Sequence, residues 1–256
     1  MSFFGVAGLH FRETQVYYKC VPPVKNLHNS RAWNFVTEVI MNRISVDALF
    51  FDFDGTLGDT RQGIYNAWQR TIAETGIPCP EFEKYFRVGP PAEATAKLLF
   101  PQLPPEQQLE IAARYKKNYD TSDMVGETPF PWSERILEHF RSAGKKIYVV
   151  TYKRMVSTLS LIRCYGFEKY FSGVWGSDAI PGQTLPKGEL LKLAVRISGV
   201  APEKCMMIGD TELDILAGHE AGVHTCAVTW GYGSLEKLAA ANPELTISVA
   251  DLDRFC

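Results

Sequence analysis

Val46-Asp-Ala-Leu-Phe-Phe-Asp-Phe-Asp-Gly-Thr56 is the stretch on which the fold turns. Its first eight residues form a nearly continuous apolar run, as expected of a parallel strand buried on both faces. Asp52 and Asp54 close the run, and Gly55 follows. Similar runs occur over 146–151, 205–210 and 224–229, with weaker ones over 173–176 and 245–249. Between them, apolar spacing predicts helices over 133–142, 154–165, 188–198 and 211–221. Gly144, Gly166, Gly199 and Gly222 fall where helix C-termini belong. Strand and helix alternating at this spacing predict a doubly wound parallel α/β sheet.

One segment breaks the alternation. From Thr60 to Thr128 only helical patterns occur: Ile64, Trp68 and Ile72 recur at four-residue spacing, a second helix fits 92–100, and a third runs from Pro105 to about Tyr119. Such an insertion predicts a helical cap over 61–128, with 41–60 and 129–256 forming the α/β core. The chain returns through Gly126-Glu-Thr-Pro-Phe-Pro131, read as a stiff linker that permits hinge motion. Residues 1–40 show no sustained periodicity, contain Pro22-Pro23, and lack the basic start of a signal peptide. They read as an extension, or as sequence upstream of a true start at Met41. A chain beginning at Met41 is therefore expected to fold and stay active.

Composition narrows the partners. The 256 residues are 46% hydrophobic and 22% charged, the balance of a globular chain. A net charge of -2 argues against nucleic acid or an anionic membrane as partner. No apolar run approaches the roughly 20 residues of a membrane span. Six cysteines without a C-x-x-C pair read as reduced thiols of a cytoplasmic protein, not as a zinc site or disulfide framework. A monomer or homodimer fits equally well.

Ligands of open parallel sheets bind beyond the carboxyl ends of the strands. At the first such end, Asp52 and Asp54, two apart, are expected to face one crevice, with Gly55 letting the backbone approach a ligand; a solvated Asp-Gly turn is the plainer alternative. Another end reads Gly209-Asp-Thr-Glu-Leu-Asp214: Asp210 is a third carboxylate for the same edge, and Asp214 suits either the site or the first helical turn. Hard oxygen ligands with room for water describe a magnesium site. Thr151, with the backbone of Tyr152, ends a third strand where a hydroxyl and free amides could cradle a phosphate, or simply cap a helix. Lys187 opens a helix, where a cation opposes the macrodipole and makes more sense beside a bound anion; an exposed loop lysine is the plainer alternative.

In this order, Asp52-Phe-Asp-Gly-Thr56, Thr151, Lys187 and Gly209-Asp-Thr-Glu-Leu-Asp214 resemble the four motifs of the haloacid dehalogenase superfamily of phosphohydrolases. The resemblance covers Asp47 to about Asp251, and the helical insertion is similar to that family's caps. Asp210-Thr-Glu-Leu-Asp-Ile-Leu-Ala-Gly218, Val228-Thr-Trp-Gly-Tyr-Gly233 and Thr128-Pro-Phe-Pro131 look like the phosphoglycolate phosphatase branch. Tyr152, where that branch usually has Asn, and Trp132, where Gly commonly follows Pro, depart from it.

The resemblance implies a magnesium-dependent phosphatase acting on a small phosphorylated metabolite, with 2-phosphoglycolate the leading substrate. It implies Asp52 as nucleophile and Asp54 as general acid and base. Asp52, the Asp54 backbone carbonyl and Asp210 would hold Mg2+, with Asp214 orienting that set. Gly55, Thr151, Tyr152 and Lys187 would line the phosphate, Thr151 and Lys187 stabilising its charge. Arg87, ahead of Gly89-Pro90-Pro91, is the candidate for a second anion on the substrate, or is a plain surface arginine. Pyrophosphatase, nucleotidase and phosphomutase activities share these motifs. A dehalogenase has no need of Asp54, and a non-catalytic phosphate-binding relative would be expected to carry a damaged motif, which this sequence does not.

Overall fold

The computed structural model describes residues 45–249 and 251. The reading of residues 1–40 lies outside them. Six parallel strands form the central sheet: β1 (Ala48–Phe51), β4 (Lys146–Val150), β5 (Gly173–Trp175), β6 (Cys205–Gly209), β7 (His224–Val228) and β8 (Leu245–Ile247). Their order is β5-β4-β1-β6-β7-β8. The chain thus moves outward on one side of β1 and then returns to build the other. The strand end at that reversal is where open α/β sheets bind ligands.

The four inner strands β4, β1, β6 and β7 are buried on both faces, and the alternation of their side chains sorts the core into two layers. Leu49, Phe51, Ile147, Val149, Met206 and Ile208 pack on one face with helices α5 (Ser133–Ser142) and α6 (Met155–Cys164). Ala48, Phe50, Tyr148, Val150, Cys205 and Met207 pack on the other with α7 (Lys187–Ser198) and α8 (Glu212–Ala221). A further helix, α9 (Leu235–Ala240), precedes β8. Burying such side chains fully is worth about 1.5–3 kcal/mol each, so a charge introduced on β1 has no face to escape to.

The segment between β1 and β4 contains α1 (Arg61–Thr75), α2 (Phe82–Tyr85), α3 (Ala92–Leu99) and α4 (Pro105–Asp120). They share an apolar core of their own around Trp68, Phe82, Phe86, Phe100 and Ile111. Trp68 stacks on Tyr115 with ring centres 4.1 Å apart. The entry and return are not a bare linker. Gly58–Asp59 (β2) pairs antiparallel with Thr128–Pro129 (β3), a ribbon that brings both crossings to one place.

Two expectations need correction. The first strand ends at Phe51 and not at Phe53, because Phe53 O instead closes a tight loop, accepting from the amides of Leu57 and Gly58 at 2.9 Å each. Nor are all the cysteines reduced. Cys79, Cys205 and Cys226 are free, but Cys164 is disulfide-bonded. Pairing depends on proximity in the fold, which sequence spacing does not report. Among the described residues no helix is long and apolar enough to cross a membrane.

Candidate active site

The loop after β1 brings Asp52 and Asp54 to the sheet edge, and both line one cleft between the sheet and the helical segment. Their side chains take different partners. Asp52 is buried beneath Lys187, whose Nζ lies 2.9 Å from Asp52 Oδ1 and 2.5 Å from Asp214 Oδ1. Asp54 faces away from that group: its Oδ1 accepts from Lys153 Nζ at 2.9 Å and from Thr60 Oγ1 at 2.8 Å.

Lys187 is the first residue of α7 and 4% exposed. The anion that its position demanded is supplied by the chain itself, as the carboxylates of Asp52 and Asp214. Burial lowers the affinity of its ammonium for a proton, but those two carboxylates outweigh that and raise it. Both readings of Asp214 hold together. Its Oδ2 accepts from Thr211 N at 3.0 Å and Thr211 Oγ1 at 2.7 Å, tying down the start of α8, while Oδ1 turns to Lys187.

Asp210 follows β6, with no cation paired to it among the described residues. Oδ1 accepts from Thr56 Oγ1 at 3.0 Å and Oδ2 from Tyr232 N at 2.7 Å. Burial, and then the neighbouring carboxylates of Asp214 and Asp52, push its pKa up. Asp52 is likewise raised, by burial first, with Lys187 opposing. Gly55 leaves the room this carboxylate occupies. At φ +83° a Cβ there would stand 2.3 Å from Asp210 Oδ2.

Asp52, Asp210 and Asp214 each offer an oxygen within 4.8 Å of the others, all buried. Three buried acids against one ammonium leave uncompensated charge. An all-oxygen donor set of that kind fits a hard divalent cation such as Mg2+. The side chain of Asp54 is not in the group.

Thr151 follows β4, buried on the cleft, but caps no helix. Its Oγ1 accepts from Lys153 N at 3.2 Å, and α6 begins only at Met155, whose amide donates to Asp178 Oδ1 at 2.7 Å. Tyr152 turns to α7, its Oη accepting from Lys187 N at 2.9 Å while its ring lies 5.7 Å from the Lys187 ammonium. The substitution of Tyr for Asn therefore adds a wall against Lys187. Arg87 lines the cleft, exposed, its Nη1 donating to Phe86 O at 2.7 Å. Every other cation of the cleft has a carboxylate partner: Lys116 has Glu93, Lys153 has Asp54, Arg154 has Asp120 and Asp178, and Lys187 has Asp52 and Asp214.

Sequence reasoning missed Lys153, Thr60, Tyr119 and Tyr232. Lys153 lies two past Thr151 and could have been suspected from that spacing. The others gave no signal: Tyr119 to Lys153 (34 apart) and Tyr232 to Thr60 (172 apart) are remote in the chain, and the six-residue step from Thr60 to Asp54 follows no helix or strand period.

Residues 49–228 match the family of haloacid dehalogenase-like hydrolases. A 5'-nucleotidase of Pseudomonas aeruginosa is 29% identical over 196 residues, 76% of this chain and 88% of that protein. A phosphoglycolate phosphatase of Aquifex aeolicus is 29% identical over 206 residues, 78% of this chain and 91% of its own length. Among solved structures, a haloacid dehalogenase-like hydrolase from Streptococcus pneumoniae superposes with a TM-score of 0.71 at 29% identity, covering 82% of this chain and 97% of that one.

Proposed function

The chain belongs to the haloacid dehalogenase-like hydrolases, and from that premise we propose that it is a Mg2+-dependent phosphatase of small phosphomonoesters. The observation that carries the reading is the buried set of Asp52, Asp210 and Asp214 under Lys187. Asp52, Asp210 and the Asp54 backbone carbonyl would hold the cation, with Asp214 orienting the set. Bound there, Mg2+ would polarise the phosphoryl oxygens and offset the charge of the substrate.

The chain's own residues account for the rest. An Asp52 carboxylate oxygen attacks phosphorus and forms an aspartyl-phosphate. Asp54 gives its proton to the leaving oxygen as the P–O bond breaks, then takes a proton from the water that hydrolyses the aspartyl-phosphate. Lys187 neutralises Asp52 and, with Thr151, faces the transferring phosphoryl group. The helices over 61–120, acting as a cap, limit the entry of bulk water.

We infer 2-phosphoglycolate as the leading substrate. The cleft encloses about 80 Å³, far less than the ~300–1,000 Å³ typical of sites for larger ligands. Arg87, with no carboxylate partner among the described residues, would grip a second anion. A phosphate-release screen over a metabolite panel, with and without Mg2+, tests this. Preference for 2-phosphoglycolate, with Arg87→Ala raising its KM but not that of p-nitrophenyl phosphate, is the expected result. Preference for nucleoside monophosphates would move the substrate class to that named for the Pseudomonas relative. No release from any ester would overturn the reading.

A further inference from the structure

Two buried charged side chains near the site take no part in the scheme above. Lys153 has a side chain only 3% exposed, and among the described residues Asp54 is its one carboxylate partner. Glu127, 5% exposed, immediately precedes β3 at the return from the helical segment. Tyr119, near the C-terminus of α4, joins them. Its hydroxyl meets the Lys153 ammonium and donates to Glu127 Oε1 at 2.5 Å, while the ammonium lies 4.1 Å from the centre of its ring. From the general acid and base, then, a continuous polar chain runs through Lys153 and Tyr119 to the hinge.

The other side of Asp54 is tied to the hinge as well. Thr60 is the N-cap of α1, yet its side chain does not cap the helix. Tyr232 Oη takes over that task, accepting from the amides of Thr60 at 2.7 Å and Arg61 at 3.1 Å. The Thr60 hydroxyl is thereby left to donate to Asp54 Oδ1.

Taking an ammonium out of water costs several kcal/mol unless it is paired and hydrogen-bonded, so Lys153 enforces its contact with Asp54. Both donors to Asp54 fall on Oδ1, and Oδ2 accepts no hydrogen bond among the described residues. We propose that Lys153 is a positioning residue for proton transfer. It commits Asp54 Oδ1, so that Oδ2 is the oxygen that exchanges the proton, and Tyr119 makes this geometry depend on the helical segment being seated on the sheet.

The proposal rests on the phosphatase reading, in which Asp54 is acid and base. In the first half-reaction the proton on Oδ2 passes to the leaving oxygen as its bond to phosphorus breaks. Asp54 is left as a carboxylate paired with Lys153. In the second, water gives its hydroxide to phosphorus and its proton to Oδ2, which restores the acid and frees Asp52.

A leaving-group comparison tests it, because kcat/KM reports only the steps up to departure of the alcohol. An alkoxide needs the proton to leave; p-nitrophenolate does not. Lys153→Met should lower kcat/KM for 2-phosphoglycolate by roughly 10²-fold, as misplacement of a catalytic group by about 1 Å does, and far less for p-nitrophenyl phosphate. Lys153→Arg should recover part of the loss. Tyr119→Phe, which keeps the ring, should shift the same ratio in the same direction, and it decides the matter if Lys153→Met does not fold. Equal losses on both esters, as from a defect in phosphate binding or folding, overturn the proposal, and so does an unchanged ratio. A wild-type chain that releases phosphate from neither ester overturns the phosphatase reading itself, and the proposal with it.

Discussion

Glu127 shows how one residue can hold both a stability cost and a position. Burial pushes its pKa up from the usual 4.5 to about 7, against the pull of Lys153 and of the hydrogen bond from Tyr119. The folded chain therefore binds this proton more tightly than the unfolded chain does. Its contribution to stability is present below about pH 4.5 and is lost as pH rises through about 7. Glu127→Gln keeps an acceptor for Tyr119 but has no charge to bury. The variant should match the wild type near pH 4.5 and be more stable at pH 8, by on the order of 3 kcal/mol at most. Thermal melts at the two pH values check this; a variant less stable at both would show that the carboxylate itself holds the hinge.

At the scale of elements, the junction of β6 and α8 is tightly constrained. Gly209 ends the strand directly beneath Asp214, and a Cβ there would stand 2.1 Å from Asp214 Cγ. Gly209→Ala should displace the carboxylate that anchors both α8 and Lys187. Overpacking of this kind costs about 1–3 kcal/mol, and Mg2+-dependent hydrolysis should fall with it. A folded Gly209→Ala chain with unchanged activity would remove Asp214 from the site. The elements that carry this junction were legible from a continuous apolar run and a helical period: 205–210 spans Cys205–Gly209, and 211–221 contains Glu212–Ala221. Phe82–Tyr85 and Leu235–Ala240 were not, since four and six residues are too few to show a helical period. The ribbon of Gly58–Asp59 with Thr128–Pro129 was hidden for another reason: two-residue strands have no alternation to read.

The whole molecule brings remote residues to one strand end, and there sequence reasoning reached its limit. Asp52, Lys187, Asp210 and Asp214 could be named because each sits at a strand or helix end with a recognisable neighbourhood. Lys153 to Asp54, 99 positions apart, and Tyr232 to Thr60, 172 apart, are contacts of packing, which no local pattern encodes. The site also sets how stability responds to conditions. With Asp52 and Asp210 raised above their ordinary pKa, metal-free protein should lose stability as pH rises from 5 toward 8. A cation held by the same oxygens stabilises by RT ln(1 + [L]/Kd) and should reverse that trend. Melts with Mg2+ and with EDTA at both pH values check it; identical curves would mean that these carboxylates hold no metal.

The central claim is that Asp52 attacks phosphorus in a Mg2+-dependent hydrolysis. It is tested most directly by phosphate release from 2-phosphoglycolate and p-nitrophenyl phosphate, with wild type and Asp52→Asn compared in Mg2+ and in EDTA. Wild type should release phosphate only with Mg2+, and a folded Asp52→Asn chain should release none, because the amide cannot form the aspartyl-phosphate. Near wild-type turnover by folded Asp52→Asn, or hydrolysis indifferent to EDTA, would contradict the account.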